Sequence, residues 1–321
     1  MTGVKHRVVN SNGIRIHVAE QGRGPLVILV HGFPESWYSW REQLSALAGA
    51  GYRAAAIDVR GYGRSSKPSR VEDYRMLVNV GDIVGLPAAL GEPQAALIGH
   101  DWGAPIVWSS ALIRPDLFRG VAGLSVPYAW RGETKPSEVF RKMAAGSGEF
   151  YIEYFQQPGR AEAEIEKDLR RWLLGFYFSA SGDADPKKPP IAVVEPGHEL
   201  RDRFQYPDKM PSWLSEADLD FYAGEFERTG STGGLNRYRN VDRDWEDLVG
   251  YRHRPIEIPA LFVGGSRDGP TIWGKPAIEN FPKSLPKLHR SVILEGCGHW
   301  IQQERPKETN EALIDFLRAI G

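Results

Sequence analysis

The chain has 321 residues, of which 41% are apolar and 25% are charged, which are globular proportions that exclude wholesale disorder. Its 40 basic and 41 acidic residues leave a net charge of -1, which argues against a protein that binds nucleic acid by counterion release. The single cysteine, Cys297, excludes an intramolecular disulfide framework and a cysteine-cluster metal site.

Short apolar runs alternate with helical patterns over the first 127 residues. Two extended runs, Lys5–Val9 and Ile14–Ala19, flank Asn12-Gly13, a pair typical of a type I′ hairpin. The next predicted elements are the strand Leu26–Val30, a helix with Trp40, Leu44, Leu47 and Ala48 on one stripe, the strands Arg53–Ile57 and Ala95–Ile98, the helix Ala104–Ile113 and the strand Gly120–Ser125. This alternation predicts a mostly parallel sheet with helices on both faces.

One helix in this part conflicts with its own residues. The segment Tyr74–Leu90 is the natural helix before the next strand, yet it contains Gly81, Gly85 and Pro87. Because a proline inside a helix costs about 3 kcal/mol and removes a hydrogen bond, we expect a kink or a break near Val84.

The alternation stops near Pro127, and the pattern is helical or irregular until about residue 245. Its clearest helix is predicted at Glu162–Leu174. The α/β pattern returns with strands at Ala260–Val263 and Ser291–Leu294 and an amphipathic helix at Pro306–Ile320. We therefore predict a core in two parts, residues 1–127 and 246–321, with a helical lid at 128–245.

The sharpest motif is Gly99-His100-Asp101-Trp102-Gly103, which follows an apolar strand and precedes a helix. This context fits the nucleophile elbow, G-x-Nu-x-G, in which small residues flank a strained turn that presents one side chain. Asp101 holds the nucleophile position, which disfavours a serine-type esterase. Taken alone, the motif fits equally well an aspartate that caps the helix.

The rest of the chain supplies partners for such a nucleophile. Asp268 and His299 follow later strands in the chain order that an elbow requires, nucleophile, acid and histidine. Both would lie at the carboxyl ends of parallel strands, where open α/β sheets place their sites. The strand Leu26–Val30 ends in HGFP, so the amides of Phe33 and Trp102 are candidate donors of an oxyanion hole.

At this point the sequence resembles the epoxide hydrolases of the α/β-hydrolase fold over essentially its whole length. The segments that carry the resemblance are HGFPESWYSW, DVRGYGRS, GHDWGA, YIEYFQQPGRAEAEIEKDL, GGLNRYRN, GGSRDG and GCGHWIQQERP. The resemblance implies two lid tyrosines that donate protons to the epoxide oxygen, and these match Tyr151 and Tyr238. Without it, both would be interpreted as packing aromatics.

One position departs from the pattern that the resemblance implies. Arg237, just before Tyr238, stands where mammalian relatives are expected to have an apolar or aromatic residue. An arginine that pointed inward would change the polarity of the pocket, but a solvated side chain is favoured.

The implied chemistry suits these residue types. A carboxylate such as Asp101 is ionised at pH 7 and needs no base to attack an epoxide carbon, which gives a hydroxyalkyl ester. Two neutral phenols can protonate the departing oxygen. His299, oriented by Asp268, would then activate the water that releases a vicinal diol.

The expected partners are a small apolar or aromatic epoxide and water, because the lid segment is rich in aromatic residues. The candidate substrate-binding residues are Phe33, Pro34, Trp102, Phe150 and Trp300. We expect no cofactor, metal, nucleic acid or membrane partner, and a monomer or homodimer. The first residues contain no apolar signal region, so a cytoplasmic protein is expected.

Two other functions stay open from the residues. A haloalkane or haloacid dehalogenase uses the same aspartate nucleophile but needs N–H donors for a halide, and Trp102 could be one of them. The fold can also serve as a non-catalytic ligand-binding scaffold, although the intact catalytic set argues against that role. Diol formation measured beside bromide release separates these alternatives.

Overall fold

A computed structural model describes residues 3–144 and 146–321 of the chain. Its strands are β1 (Lys5–Ser11), β2 (Ile14–Gln21), β3 (Leu26–Val30), β4 (Arg53–Ile57), β5 (Ala95–His100), β6 (Phe118–Leu124), β7 (Glu149–Phe150), β8 (Val193–Val194), β9 (Ala260–Gly265) and β10 (Leu288–Leu294). The main sheet has the order β1-β2-β4-β3-β5-β6-β9-β10. Pairing is antiparallel between β1 and β2 and between β2 and β4, and parallel from β4 onward. The predicted mostly parallel sheet is confirmed.

The helices of the described residues either cover the two faces of this sheet or lie in the stretch between β6 and β9. They are α1 (Arg41–Gly49), α2 (Met76–Ala89), α3 (Gly103–Ile113), α4 (Pro136–Ala144), α5 (Tyr151–Tyr154), α6 (Arg160–Lys167), α7 (Leu169–Ala180), α8 (Glu216–Thr229), α9 (Thr232–Tyr238), α10 (Val241–Asp247), α11 (Gly269–Trp273), α12 (Lys275–Glu279), α13 (Phe281–Ser284), α14 (Ile301–Glu304) and α15 (Pro306–Ala319). Short 3₁₀ helices lie at Trp37–Trp40, Val71–Tyr74, Leu200–Arg203 and Val249–Tyr251.

The buried residues of a strand divide between two apolar cores. Successive side chains of a strand point to opposite faces. In β3, Ile28 joins a cluster that contains Ile83 of α2, whereas Leu29 joins a cluster that contains Leu44 of α1 and Phe316 of α15. The continuous apolar run of β3 therefore reflects burial on both sides.

The first hairpin has the predicted turn. Asn12 and Gly13 both have positive φ angles, 50° and 77°, as the two central residues of a type I′ turn require. The turn places β1 and β2 in antiparallel register, with Ser11 opposite Ile14.

The helix that contains Pro87 is continuous, so the break expected near Val84 is wrong. α2 runs from Met76 to Ala89, and Pro87 lies in its last turn. There the proline removes one hydrogen bond close to the point where the helix ends, which limits the cost of keeping it.

The two glycines of α2 are explained by the hairpin that packs on it. A Cβ atom at Gly81 would lie 2.7 Å from Nδ2 of Asn12, and one at Gly85 would lie 2.2 Å from Oγ of Ser11. The Ser11 hydroxyl also donates to the carbonyl of Asp82 at 2.7 Å. A close tertiary contact, and not a helix break, accounts for these residues.

The single helix predicted at Glu162–Leu174 is in fact two helices, α6 and α7. Asp168 separates them with a φ of -155° and a ψ of 74°, and its carboxylate accepts from the amide of Arg171 at 3.3 Å. Aspartate is favoured at such an N-cap because its side chain satisfies a free helical N–H group.

The chain leaves the sheet between the parallel neighbours β6 and β9. This stretch carries α4 to α10, with β7 and β8 as a two-residue antiparallel ribbon. The predicted boundaries of a lid at 128–245 stay a prediction. Within residues 3–144 and 146–321, no helix is long and apolar enough to cross a membrane, and no group of three His, Cys, Asp or Glu side chains could hold a metal ion.

Candidate active site

The elbow residue Asp101 lies between β5 and α3 in a left-handed conformation, with a φ of 50°. Two glycines allow this turn to pack closely. A Cβ atom at Gly99 would lie 2.3 Å from the Gly103 carbonyl oxygen, and one at Gly103 would lie 2.0 Å from the Val30 carbonyl oxygen. The motif therefore needs glycines because the backbone of neighbouring residues comes too close for a side chain. This turn holds Asp101 at the carboxyl end of β5.

The carboxylate of Asp101 has a different partner on each oxygen. Its Oδ1 atom accepts from the amide of Phe33 at 2.8 Å, and its Oδ2 atom lies 3.4 Å from Nε2 of His299. Burial raises the pKa of Asp101, but the hydrogen bond and charge of His299 outweigh burial and hold that pKa below its usual value. The group is thus an ionised carboxylate at neutral pH.

His299 connects this carboxylate to a second one. Its Nδ1 atom lies 2.8 Å from Oδ1 of Asp268, which is fully buried. Burial lowers the pKa of His299, but the charge of Asp268 and the hydrogen bonds to Asp101 and Asp268 raise it well above its usual value. The structure thus brings together Asp101, Asp268 and His299, which are far apart in the sequence.

Two hydroxyl groups that the sequence analysis missed hold Asp268. Ser125 and Thr271 donate to its Oδ2 atom at 2.8 Å and 2.6 Å. The Ser125 hydroxyl also lies 3.0 Å from Nδ1 of His299. Ser125 directly follows β6, at the same sheet edge as the triad, so its position in the strand pattern was an available signal.

The sequence analysis also missed Glu35 and His100, which support the loop that carries His299. Glu35 is 1% exposed, and its Oε2 atom lies 2.8 Å from Nδ1 of His100. The Nε2 atom of His100 donates to the main-chain carbonyl of His299 at 2.8 Å. Burial raises the pKa of Glu35, but the charge and hydrogen bond of His100 lower it below the usual value. His100 therefore supports the His299 loop from the elbow side.

The two tyrosines implied by the resemblance meet over this site. Tyr151 begins α5 and Tyr238 ends α9, and their ring centroids are 6.1 Å apart. Burial, followed by the charge of Asp101, raises the pKa of both phenols. Both phenols are therefore protonated at neutral pH and can donate hydrogen bonds.

A cavity of about 290 Å³ joins these groups. The predicted catalytic side chains on its wall are Asp101, Tyr151, Tyr238, Asp268 and His299. Its apolar wall includes Phe33, Phe176, Ile191, Ile272 and Trp273. Apolar walls with a few convergent polar groups are typical of small-molecule sites.

A second cavity, also of about 290 Å³, shares Asp101 and Tyr151 with the first. Trp102 and Phe150, two of the predicted substrate-binding residues, line this second cavity. The two cavities thus both reach the nucleophile carboxylate and one of the phenols, and they also share Pro270 and Trp273.

Two other predicted substrate contacts lie elsewhere. Pro34 is buried, and its carbonyl accepts from the hydroxyl of Tyr177. Trp300 is fully buried, and its indole N–H donates to the carbonyl of the same Tyr177 at 2.7 Å. Neither residue lines either of the two cavities. They support the loops that carry Phe33 and His299.

The expectation of a solvated Arg237 is wrong. The residue is 4% exposed, pairs with the carboxylate of Asp244 and donates to the carbonyl of Tyr74 at 2.7 Å. These buried acceptors replace water around the two Nη atoms, which offsets most of the cost of burying the guanidinium.

The chain is similar to known proteins over its whole length. A family model described as the alpha/beta hydrolase fold matches residues 25–306. The chain is 45% identical to epoxide hydrolase B of Mycobacterium tuberculosis, with 97% of this chain and 98% of that protein covered. It superposes on the structure of an epoxide hydrolase from an endophytic Streptomyces with a TM-score of 0.97 and 57% identity, covering 100% and 97% of the two chains. It superposes on the crystal structure of epoxide hydrolase A from Mycobacterium thermoresistibile with a TM-score of 0.93 and 44% identity, covering 98% of each chain.

Proposed function

The chain belongs to the epoxide hydrolases of the α/β-hydrolase fold, and we propose that it converts an epoxide and water to a vicinal diol through a hydroxyalkyl ester on Asp101. One observation carries the assignment of these roles. An ionised carboxylate, Asp101, shares a cavity with two neutral phenols, Tyr151 and Tyr238, and with His299. A nucleophile, two acids and a base are thus available to one small molecule.

The first step is ring opening. Oδ1 of Asp101 is held by the Phe33 amide, so Oδ2 attacks an epoxide carbon and forms the ester bond. The carbon–oxygen bond of the ring breaks, and its electron pair goes to the epoxide oxygen. The hydroxyls of Tyr151 and Tyr238 donate hydrogen bonds to that oxygen, and one of them supplies the proton.

The second step is hydrolysis of the ester. His299, held by Asp268, takes a proton from water, and the water oxygen attacks Cγ of Asp101. Charge develops on Oδ1, which the Phe33 amide already contacts, and the Trp102 amide is the proposed second donor. The bond from Cγ to Oδ2 then breaks, and Oδ2 takes the proton from His299 and leaves as part of the diol. The water oxygen stays on Asp101, and its remaining proton restores the tyrosine that was deprotonated in the first step.

The substrate class follows from the cavity wall. Phe33, Phe176, Ile272 and Trp273 present apolar surface around the reacting groups. A small epoxide with an apolar or aromatic substituent buries this surface without leaving a polar group unpaired.

The helical insertion at 128–245 is proposed to act as the lid. Its helices α5 and α9 carry Tyr151 and Tyr238, whereas the core carries Asp101, Asp268 and His299. Ring opening therefore depends on groups from both parts, and water access depends on how the insertion covers the cavity.

The test is product formation by the purified protein. Styrene oxide should give the diol, a bromoalkane run in parallel should give no bromide, and Asp101→Ala should form neither product. A single turnover in ¹⁸O-labelled water should place the label on Asp101 and not in the diol. Bromide without diol would contradict the proposal in favour of a dehalogenase, and label in the first diol would contradict the ester.

A further inference from the structure

The residue before the lid tyrosine Tyr238 is a buried cation that contacts an aromatic ring at the elbow. The guanidinium carbon of Arg237 lies over the Trp102 ring, 4.6 Å from its centroid. A cation over an indole face is attracted by the ring's π electrons, and burial strengthens this attraction.

Hydrogen bonds satisfy only part of the Arg237 guanidinium. Its Nη atoms serve Asp244 and the carbonyl of Tyr74. Its Nε atom is buried and has no hydrogen-bond partner among the residues that the structure describes. An unpaired buried N–H group is unfavourable, so the side chain is not arranged for its hydrogen bonds alone. The contact between the guanidinium and the Trp102 ring is the further interaction that this arrangement provides.

Trp102 in turn contacts the lid tyrosine. The rings of Trp102 and Tyr238 meet edge to face, with centroids 5.1 Å apart and an angle of 87° between the planes. Trp102 follows the nucleophile in sequence, and Tyr238 follows Arg237. Arg237 therefore contacts the same Trp102 ring that Tyr238, the next residue in the chain, packs against.

The same arginine is tied to the core through its ion-pair partner. Asp244 of α10 accepts with Oδ1 from the amide of Met76, the first residue of α2, at 2.6 Å. With the bond to Tyr74, this fixes the end of α9 relative to the helix that follows β4. The guanidinium thus has a defined position from which to hold the indole.

We propose that Arg237 is a positioning residue for ring opening, which holds the Trp102 indole in the place where the Tyr238 ring packs and so directs the Tyr238 hydroxyl toward the epoxide oxygen. The inference rests on the proposed function. A displacement of about 1 Å in a reacting group can cost about 100-fold in rate, so the effect belongs to ester formation. Ester hydrolysis uses His299 and the main-chain amides of Phe33 and Trp102. Arg237 contacts the ring of Trp102, and its hydrogen bonds go to Tyr74 and Asp244 and not to the backbone that carries the Trp102 amide.

The test uses a double variant, Arg237→Met with Asp244→Asn. Methionine keeps an apolar stem beside Trp102, and the asparagine prevents a lone carboxylate from being left buried while it keeps an oxygen for the Met76 amide. Arg237→Lys keeps a cation but loses the planar guanidinium.

The matched control is Arg239→Met with Glu162→Gln. Arg239 also lies in the lid, its side chain is 4% exposed and it forms an ion pair with Glu162 at 2.8 Å. It forms no cation–π contact with Trp102 in the described part of the chain. This control therefore removes a comparable ion pair without removing the proposed contact.

Rapid-quench mass spectrometry then gives the rate constants of ester formation and ester hydrolysis, and the ester amplitude counts folded active sites. We expect the double variant to form the ester at least about tenfold more slowly, with hydrolysis within about twofold of the wild type. Arg237→Lys should recover part of this loss, and the Arg239 control should change neither rate constant by more than about twofold.

Equal losses in both steps, an unchanged rate of ester formation, or the same selective loss in the Arg239 control would overturn the inference. If the double variant shows no ester amplitude because it does not fold, Arg237→Lys decides, since it must slow ester formation selectively. A wild type that turns over epoxide without any ester would instead contradict the proposed mechanism, which separates the two failures.

Discussion

Nε2 of His299 lies 3.4 Å from the carboxylate of Asp101, while Nδ1 of the same ring lies 2.8 Å from the carboxylate of Asp268. Together these groups raise the pKa of His299 well above its usual value against the effect of burial. Formation of an ester removes the charge of Asp101 but leaves that of Asp268. The imidazole thereby loses one stabilising partner at the moment when its free nitrogen is needed as a base.

Replacement of the base should stop the reaction after the first step. We expect His299→Gln to accumulate the hydroxyalkyl ester, because ring opening needs Asp101 and the tyrosines but not a base. Intact-protein mass spectrometry should show a mass increase equal to that of the added epoxide, and the increase should be absent in His299→Gln with Asp101→Ala. An unmodified single variant that still consumed epoxide would refute the role of His299.

The pH dependence of ester hydrolysis should report the His299–Asp268 pair. The rate should rise with pH as the imidazole loses its proton. In Asp268→Asn the charge that raises the pKa of His299 is lost, so the rising limb should move to lower pH and the plateau should fall.

The measurement is the single-turnover rate of ester hydrolysis between about pH 5 and about pH 9. Asp315→Asn is the control, because Asp315 contacts an exposed histidine, His289, at 2.9 Å. A limb that stays in place in Asp268→Asn would show that Asp268 does not set the pKa of the base.

Removal of the two phenol hydroxyls should abolish ring opening. Tyr151→Phe with Tyr238→Phe removes both proton donors, and a loss of about 10² to 10⁴-fold in ester formation is expected. Because the pKa of both phenols is raised, wild-type ester formation should not decline through loss of their protons up to about pH 10.

Tyr154→Phe is the matched control for the tyrosine variant. Tyr154 is a buried tyrosine of α5 whose hydroxyl donates to Glu164 at 2.6 Å. Rapid-quench measurement should find its rate of ester formation unchanged. Retention of wild-type ester formation in the double variant would remove the tyrosines from the mechanism.

The contact between α2 and the first hairpin should control stability. Gly85→Ala places a Cβ atom 2.2 Å from Oγ of Ser11, and we expect the free energy of unfolding to fall by about 1 to 3 kcal/mol. The double variant with Ser11→Ala relieves the clash, so it should be less destabilised than the sum of the single variants. Thermal or denaturant unfolding of all three variants checks this, and strict additivity would argue against the contact.

Strands and the order of the triad could be predicted because their signals are local. β3 and β4 match the predicted residues, and β5 and β9 extend the predicted strands by two residues each. An apolar run that ends in a glycine-rich turn is typical of a strand that is buried on both faces and leaves the sheet sharply. This signal can be recognised from neighbouring residues alone. Tyr151 and Tyr238 were found through the resemblance, because nothing local distinguishes a catalytic phenol from a packed one.

The errors have a different origin. In the sequence the glycines of α2 indicate a break, but in the fold they contact the first hairpin. Asp168 caps α7 inside a stretch whose sequence pattern is helical throughout. Arg237 was expected in solvent because its acceptors, Asp244 and the Tyr74 carbonyl, come from other elements. Each outcome depends on residues that are distant in sequence.

Composition, periodicity and motif order were therefore sufficient for the α/β fold, the elbow and its two partners, since chain-local patterns and strand-end positions express them. Only the tertiary structure decided how close the catalytic groups lie and what surrounds them. It set the distances among Asp101, His299 and Asp268, the contacts of Ser125 and Glu35, the cavity walls and the burial of Arg237. Burial and hydrogen bonding between distant segments set those features, and a linear sequence does not show which distant groups will meet.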